Sequence, residues 1–448
     1  MMTRQKATKV AVLAMLVGGW AGPQTRSEGQ ASQTASPMTL EQAVSAALAT
    51  NPAAQSAAQQ LVQAQARLGQ AQAQRRFSLT LDSVVSCSSA SVIQAPPAHE
   101  NFHTLQNTLT LPLHLGRRGG FATEQAREQL TAAQAVFRSA RLTLAGQAAA
   151  AYYDLLRKQA LQAVAQTALE QAARALSDAQ KRERAGDVAQ LDVLQAQVPV
   201  ASEEAALGKA ENDVEIARQT LNDLTGRPLD APLTIADVTG PPTPFPYTLP
   251  QVRALVLEHS ADVQAADAAV RADIAGLRAA HLYREPSVSL QAIDIRSNDQ
   301  TAFSRLDTLQ AAVTIPLSDG GLGRQQVREA EAALAQGRAQ AESARKTALV
   351  GISGAYLTAR SARTQRTAAL AAQDIAQITY DKTVVGYRNG LFPLINVLNA
   401  QNALAQARIA YIQALYDSAS AGNTLETALS GGASQGEAGT AGGGKTGH

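Results

Sequence analysis

The chain has 448 residues, with 39 basic against 37 acidic side chains, a balance that gives nucleic acid no whole-chain electrostatic hold. Aromatic residues make up only 4% and charged residues 17%, while alanine fills about a fifth of the positions; such a chain buries little volume per residue and suits long helix seams better than the thick core of a compact enzyme. A single cysteine, Cys87, excludes an internal disulfide and a thiolate metal cluster.

Arg4, Lys6 and Lys9 precede a short apolar run from Val10 to Gly22, so residues 1–31 read as a secretory signal peptide, with small residues permitting cleavage near Ala21 or Ala31. No later segment approaches the roughly 20 consecutive apolar residues that a spanning helix needs. A mature chain that crosses a membrane must therefore do so with strands. Cys87 is too far from any cleavage position to serve as an N-terminal lipid anchor.

Thr39 to about Arg75 reads as helix, broken or kinked at Asn51-Pro52. Strands follow near 78–88 and 104–113; in the second, Leu105, Leu109, Leu111 and Leu113 alternate with Thr104, Gln106, Thr108 and Thr110. His99 and His103 flank Glu100 in what reads as an exposed loop between them, where a four-residue spacing has no metal-binding meaning. From Phe121 to Arg184 there is no proline, and Leu130, Ala133, Phe137, Ala140 and Leu144 step by three and four, as a coiled-coil seam does. That rod is roughly 96 Å long. Tyr152, Tyr153 and Asp154 on it imitate an acid–base cluster, but Tyr152 recurs as Tyr356 and is expected to pack. Arg182, Arg184 and Gly186 end the rod, and a helix from Val188 to Thr225, kinked at Pro199, runs back. It covers only about 57 Å, so the proline-rich segment 226–248 forms a belt halfway along.

The pattern then repeats. Thr110-Leu-Pro-Leu113 recurs as Thr314-Ile-Pro-Leu317, 204 positions on, and the same shift carries Arg184 to Arg388, Gly186 to Gly390 and Leu194 to Leu398. Repeat 1 spans 39–225 with its tip near 184–192. Repeat 2 spans 249–430, with one helix from Leu249 to about Leu282, strands near 287–296 and 304–317, and a tip near 388–396. Residues 431–448 read as a disordered glycine-rich tail. The fold class is mainly α with a small β part, in two tandem repeats of helix, strand, strand, long helix, turn and helix. Four strands in two hairpins set apart cannot close their edges, whereas three chains supply twelve strands, an allowed barrel number. Phe77, Phe102, Tyr283 and Phe303 sit at strand ends, where membrane-interface aromatics belong.

The opening TLEQAVSAALATNP, the strand exits LTLPL and VTIPLSDGG, the segment AYYDLL, and the tips RAGDVAQLDVLQAQ and YRNGLFPLINVLNAQ resemble the outer membrane efflux protein (TolC-like) family, over nearly the whole chain after the signal peptide. The resemblance implies a homotrimer in outer membrane lipid, with a 12-stranded β-barrel on a long periplasmic α-helical barrel. It implies passive conduction without cofactor, driven by an inner-membrane pump (RND, ABC or MFS type) through a periplasmic adaptor protein. The family's pore-closing acidic positions, spaced Asp-x-x-Asp in the second tip, fall on Asn396 and Asn399; the first tip keeps Asp192 but has Gln195. Rings of amides carry no charge, so weaker cation selectivity is expected at this gate. Arg184, Gly186, Leu191, Val193, Leu194, Arg388, Gly390, Leu391, Val397 and Leu398 are assigned to adaptor contact at the tips. The plainer alternative is that glycine and arginine finish helices while Val and Leu pack inside the hairpins. A periplasmic adaptor is the alternative function, but it needs one hairpin and a run of small β domains. An enzyme would need a nucleophile turn or phosphate loop, and none is present in the sequence.

Overall fold

The structure is a computed structural model that describes residues 37–76, 78–92, 98–113, 116–237, 246–299 and 302–430. The expected signal peptide and glycine-rich tail lie outside the described residues, as does Phe77. Helix α1 (Leu40–Thr50) opens on a reciprocal capping box between Thr39 and Gln42, and α5 (Leu249–His259) opens on the same device between Thr248 and Gln251. Asn51 ends α1 in extended conformation and caps α2 (Pro52–Ala73), whose first residue is the proline.

The single helix expected from Leu249 to Leu282 is two, α5 and α6 (Ala261–His281), hinged at Ser260 with φ −59° and ψ 125°. Ser260 is the repeat counterpart of Asn51, yet no proline follows it. The break therefore belongs to the architecture and not to Pro52 alone.

Strands β1 (Thr80–Val92) and β2 (Ala98–Leu113) run further than the sequence suggests, so His99 and His103 lie in β2 and not in a loop. The serine-rich stretch 86–91 hides this continuation, because it lacks the apolar alternation by which a strand is read from sequence. Strands β3 (Ser287–Asp299) and β4 (Ala302–Thr314) form the second hairpin. The two hairpins are not apart: β2 pairs with β3, giving one antiparallel sheet in the order β1-β2-β3-β4. Its outer strands leave two unpaired edges among the described residues.

Helix α3 (Arg118–Ala185) has 68 residues and α7 (Leu322–Arg388) has 67, each roughly 100 Å long. Helices α4 (Gln190–Leu224) and α8 (Leu394–Ser430) return from the tips. Near the sheet the contacts run α2, α3, α6, α7; near the tips they run α4, α3, α8, α7. Each level is thus four helices wide. Among the described residues no helix is long and apolar enough to cross a membrane.

Midway along α3, Tyr152 is fully buried; its hydroxyl lies 2.6 Å from the Ala236 carbonyl, to which it donates, and 3.0 Å from that of Met38. Met38 and Ile235 form a parallel bridge there, and the buried Asn222 side chain donates to Leu229 and Ala231 carbonyls. The chain following α4 is therefore pinned at mid-rod beside Ala43, Leu155 and Leu221. Val252, Val256, Ile352 and Leu425 form a second cluster, at the repeat counterparts of Ala43, Ala47, Ala148 and Leu221.

Candidate functional site

The two hairpin tips meet in a small apolar cluster of Ala179, Val193, Ala196, Tyr387, Leu394, Val397 and Leu398. Val193, Val397 and Leu398 are each under a tenth exposed; within one chain they hold the hairpins together and offer no contact surface. Leu191, Leu194 and Leu391 are instead 61%, 51% and 72% exposed, and Arg184 and Arg388 are exposed beside them. Phe392 and Ile395 join this surface at 45% and 46%. The first tip turns through Gly186 at φ +81° and the second through Gly390 at φ +73°, a left-handed conformation that favours glycine. Gly386 has no side chain to displace the Phe392 ring, which lies against it.

Arg182 and Tyr387 are site residues that the sequence reading missed as a pair. The Arg182 guanidinium sits 4.3 Å from the centre of the Tyr387 ring and donates to the Tyr387 and Arg388 carbonyls at the end of α7. Burial pushes the Tyr387 phenol above its ordinary range; Arg182 opposes that shift, while Asp192 and Asp178 add to it. The 204-residue shift maps Arg182 onto Gly386 and Tyr387 onto Glu183, so this tie breaks the repeat. Its only sequence signal is that mismatch.

Asp192 and Gln195 are partly exposed on α4, and Asn396 and Asn399 are exposed on α8. Each pair is spaced to share one helix face. The chain itself does not bring the four into a ring.

At the opposite end, acidic side chains cap both rods. Glu285 accepts from the Arg117 and Arg118 N–H groups at 2.5 and 3.0 Å, at the start of α3. Asp319 accepts from Gly323 and Gly321 at 2.7 and 3.0 Å, at the start of α7, and these N–H groups hold its carboxyl below the usual range. Tyr283 lies partly buried at this junction, its ring against Gly323, with Arg284 stacked 5.4 Å away. Phe102 and Phe303 lie in strands, but their side chains are outside the described residues.

Asp154 pairs with Arg157 on the same helix, and the Arg157 guanidinium also reaches Asp417 at 3.3 Å, joining α3 to α8. Cys87 faces His103 across β1 and β2, with 3.2 Å between Sγ and Nδ1. Among the described residues no group of three or more His, Cys, Asp or Glu could hold a metal ion.

The family model described as outer membrane efflux protein matches residues 43–227 and 252–431. The chain is 25% identical over 401 residues to the cobalt-zinc-cadmium resistance protein CzcC of Cupriavidus metallidurans, covering 89% of this chain and 91% of that one. Its fold is similar to the solved structure of CusC, with a TM-score of 0.78 at 20% identity over 87% of this chain and 91% of that chain. It is also similar to the outer membrane protein VceC of Vibrio cholerae, with a TM-score of 0.75 at 24% identity over 88% and 96%.

Proposed function

The chain belongs to the outer membrane efflux protein family, and from that premise we propose that it works as the exit duct of a tripartite efflux system, conducting substrates passively from the periplasm or a pump to the exterior. The observation that carries this reading is the open sheet: β1 and β4 are free edges on a structure whose rods reach roughly 100 Å from it. A lipid-exposed edge is not tolerated, so β4 of one copy pairs with β1 of the next, and the head-to-tail contact closes at three copies and twelve strands.

A second surface agrees with that closure. On α7, Val350, Leu357, Ile378 and Val385 fall on one seven-residue repeat and are all more than half exposed. Such a stripe needs a partner helix. Val198 and Ile216 on α4, also more than half exposed, supply one from the neighbouring copy. Four helices per level in each chain then make a tube of twelve.

In this assembly Asp192, Gln195, Asn396 and Asn399 form the pore gate at the tip, and Leu191, Leu194 and Leu391, with Arg184, Gly186, Arg388 and Gly390, meet a periplasmic adaptor coupled to an inner-membrane pump. Phe392 and Ile395 extend that surface. Of the interface aromatics, Tyr283 sits at the barrel's periplasmic rim, whereas Phe102 and Phe303 lie at the opposite ends of β2 and β4, on the outer side. The name of the cobalt-zinc-cadmium relative puts metal cations among the cargoes of this duct, and the choice among cargoes is assigned to the pump. The test is reconstitution of the purified protein in a planar bilayer. Discrete ion-conducting steps are expected; a protein that inserts without conducting would contradict the reading.

A further inference from the structure

Directly opposed residues in the sheet lie on one face, so its two faces can be followed row by row from the helices outward. Leu113, Val288 and Val313 form the first row of one face, Leu111, Leu290 and Ala311 the second, and Leu81, Leu109, Ala292 and Leu309 the third. The reverse face at the same levels carries Thr80, Thr110, Gln291 and Gln310. The leucine face is the one for lipid. Along β4 its paired rows run from Val313 to Leu309, about 14 Å of strand, and the exposed Leu317 continues the apolar stretch past the end of the strand toward the helices.

Beyond Leu309 the same face changes character without a bulge in the register. Its next row is Ser83, Asn107, Asp294 and Asp307, and the row after is Val85, Leu105, Arg296 and Arg305. Ser83 donates to Asn107, and Asn107 to Asp294. Arg296 pairs with Asp294 at 3.1 Å, and Arg305 with Asp294 at 3.5 Å and Asp307 at 3.1 Å.

The arrangement is not the one that sheet stability alone would select. Asp294 stands directly opposite Asp307, and Arg296 directly opposite Arg305, and like charges directly opposed destabilise a strand pair. It sets two guanidiniums side by side, 58% and 63% exposed, above two carboxylates. Paired guanidiniums match phosphate oxygens, and carboxylate oxygens match hard divalent cations. A purely anionic surface would have no use for the aspartates. A surface of phosphates bridged by divalent cations uses both.

We propose that Arg296 and Arg305, with Asp294 and Asp307 beside them, form a belt that binds phosphorylated glycolipids of the outer leaflet through their phosphate groups and bridging divalent cations. This rests on the exit-duct reading, which puts the helices in the periplasm and the far ends of the strands outside.

The test is a titration of the detergent-purified full-length assembly with lipopolysaccharide in the presence of magnesium. The R296Q/R305Q double variant is expected to bind about tenfold more weakly, at the lower end of what losing two arginines near an anionic surface costs. The R296K/R305K variant, which keeps the charges, is expected to recover part of that loss, and chelating magnesium releases lipid from the unaltered protein, a readout that needs no variant to fold. Equal binding by R296Q/R305Q, equal binding of a dephosphorylated glycolipid, or indifference to chelation would overturn the proposal. Cys87 is exposed two residues beyond Val85, on the same face, and a large impermeant maleimide added to intact cells is expected to label it. Failure to label would overturn the outward assignment itself, whereas labelling with unchanged lipid binding would overturn the belt alone.

Discussion

Arg182 of the first hairpin holds the end of the second: its guanidinium lies 4.3 Å from the Tyr387 ring centre and donates to the Tyr387 and Arg388 carbonyls at 3.2 and 3.3 Å. The last carbonyls of α7 carry its negative dipole end; Gly390 N–H donates to the Tyr387 carbonyl at 3.0 Å, and the Arg182 cation from the neighbouring hairpin adds a second donor there and one to Arg388. The contact joins tips that the apolar cluster alone would hold by only a few side chains.

Arg182→Ala is expected to cost the tip about 1–3 kcal/mol, the range for a charge-assisted hydrogen bond together with a cation–π contact. Amide exchange over 384–391 should quicken and open-channel conductance should rise. Arg182→Lys, which keeps the charge but loses the planar fork, should fall between. Unchanged exchange in the alanine variant would show that the tie carries no load.

The Tyr387 phenol makes a pH prediction with a definite sign. Its ionisation lies above the ordinary range because burial disfavours the phenolate. The folded tip therefore favours the neutral form; that stability is fully present below about pH 10 and is lost as pH rises through the raised value. Tip protection, corrected for the hydroxide-catalysed intrinsic exchange rate, should fall in alkali and not in mild acid. The Tyr387 hydroxyl is buried without a hydrogen bond of ordinary geometry, so Tyr387→Phe should change neutral-pH stability by less than about 0.5 kcal/mol while reducing the alkaline response. An unchanged alkaline response in that variant would place the titrating group elsewhere.

Asp319, at the other end, responds in the opposite direction. Gly323 and Gly321 hold the Asp319 carboxyl below its usual range. Its contribution is present above the ordinary aspartate pKa of about 3.9 and is lost as pH falls through the lowered value. Glu285→Gln should weaken the start of α3 by about 1 kcal/mol, since an amide oxygen can accept the same bonds but carries no charge against the helix dipole. Thermal unfolding at pH 7 measures it, and no shift in melting temperature would contradict the capping role.

Asn396→Asp with Asn399→Asp would place two carboxylates in each copy at the gate, and in a threefold assembly these become charged rings. Cation preference in planar-bilayer recordings should rise, while the unaltered protein should show weak preference. Strong cation preference in the unaltered protein, abolished only by changing Asn396 or Asn399, would contradict the assignment.

What was legible followed from periodicity and repetition. The TLEQ opening, the 204-residue shift and the alternation around Leu109 carried the rods, tips and strands, because each is a local pattern repeated by the fold. The hinge at Ser260 was not legible, since Ser-Ala has no breaker chemistry and the break is set by packing against α3 and α7. The pairing of β2 with β3 was hidden because residues such as Asn107 and Asp294 meet across most of a repeat. The tip sites divided by packing: Leu191 and Leu391 stayed outside while Val193 and Val397 turned into the contact between hairpins. Neighbours in sequence took opposite roles because a helix turns about 100° per residue.

The central claim is that one chain cannot close its own sheet, and the most direct test is the mass of the detergent-solubilised protein by light scattering, corrected for bound detergent. Three chains per particle are expected, with loss of the assembly when proline replaces backbone donors along the β4 edge. A monodisperse single chain that stays soluble without detergent would contradict the account.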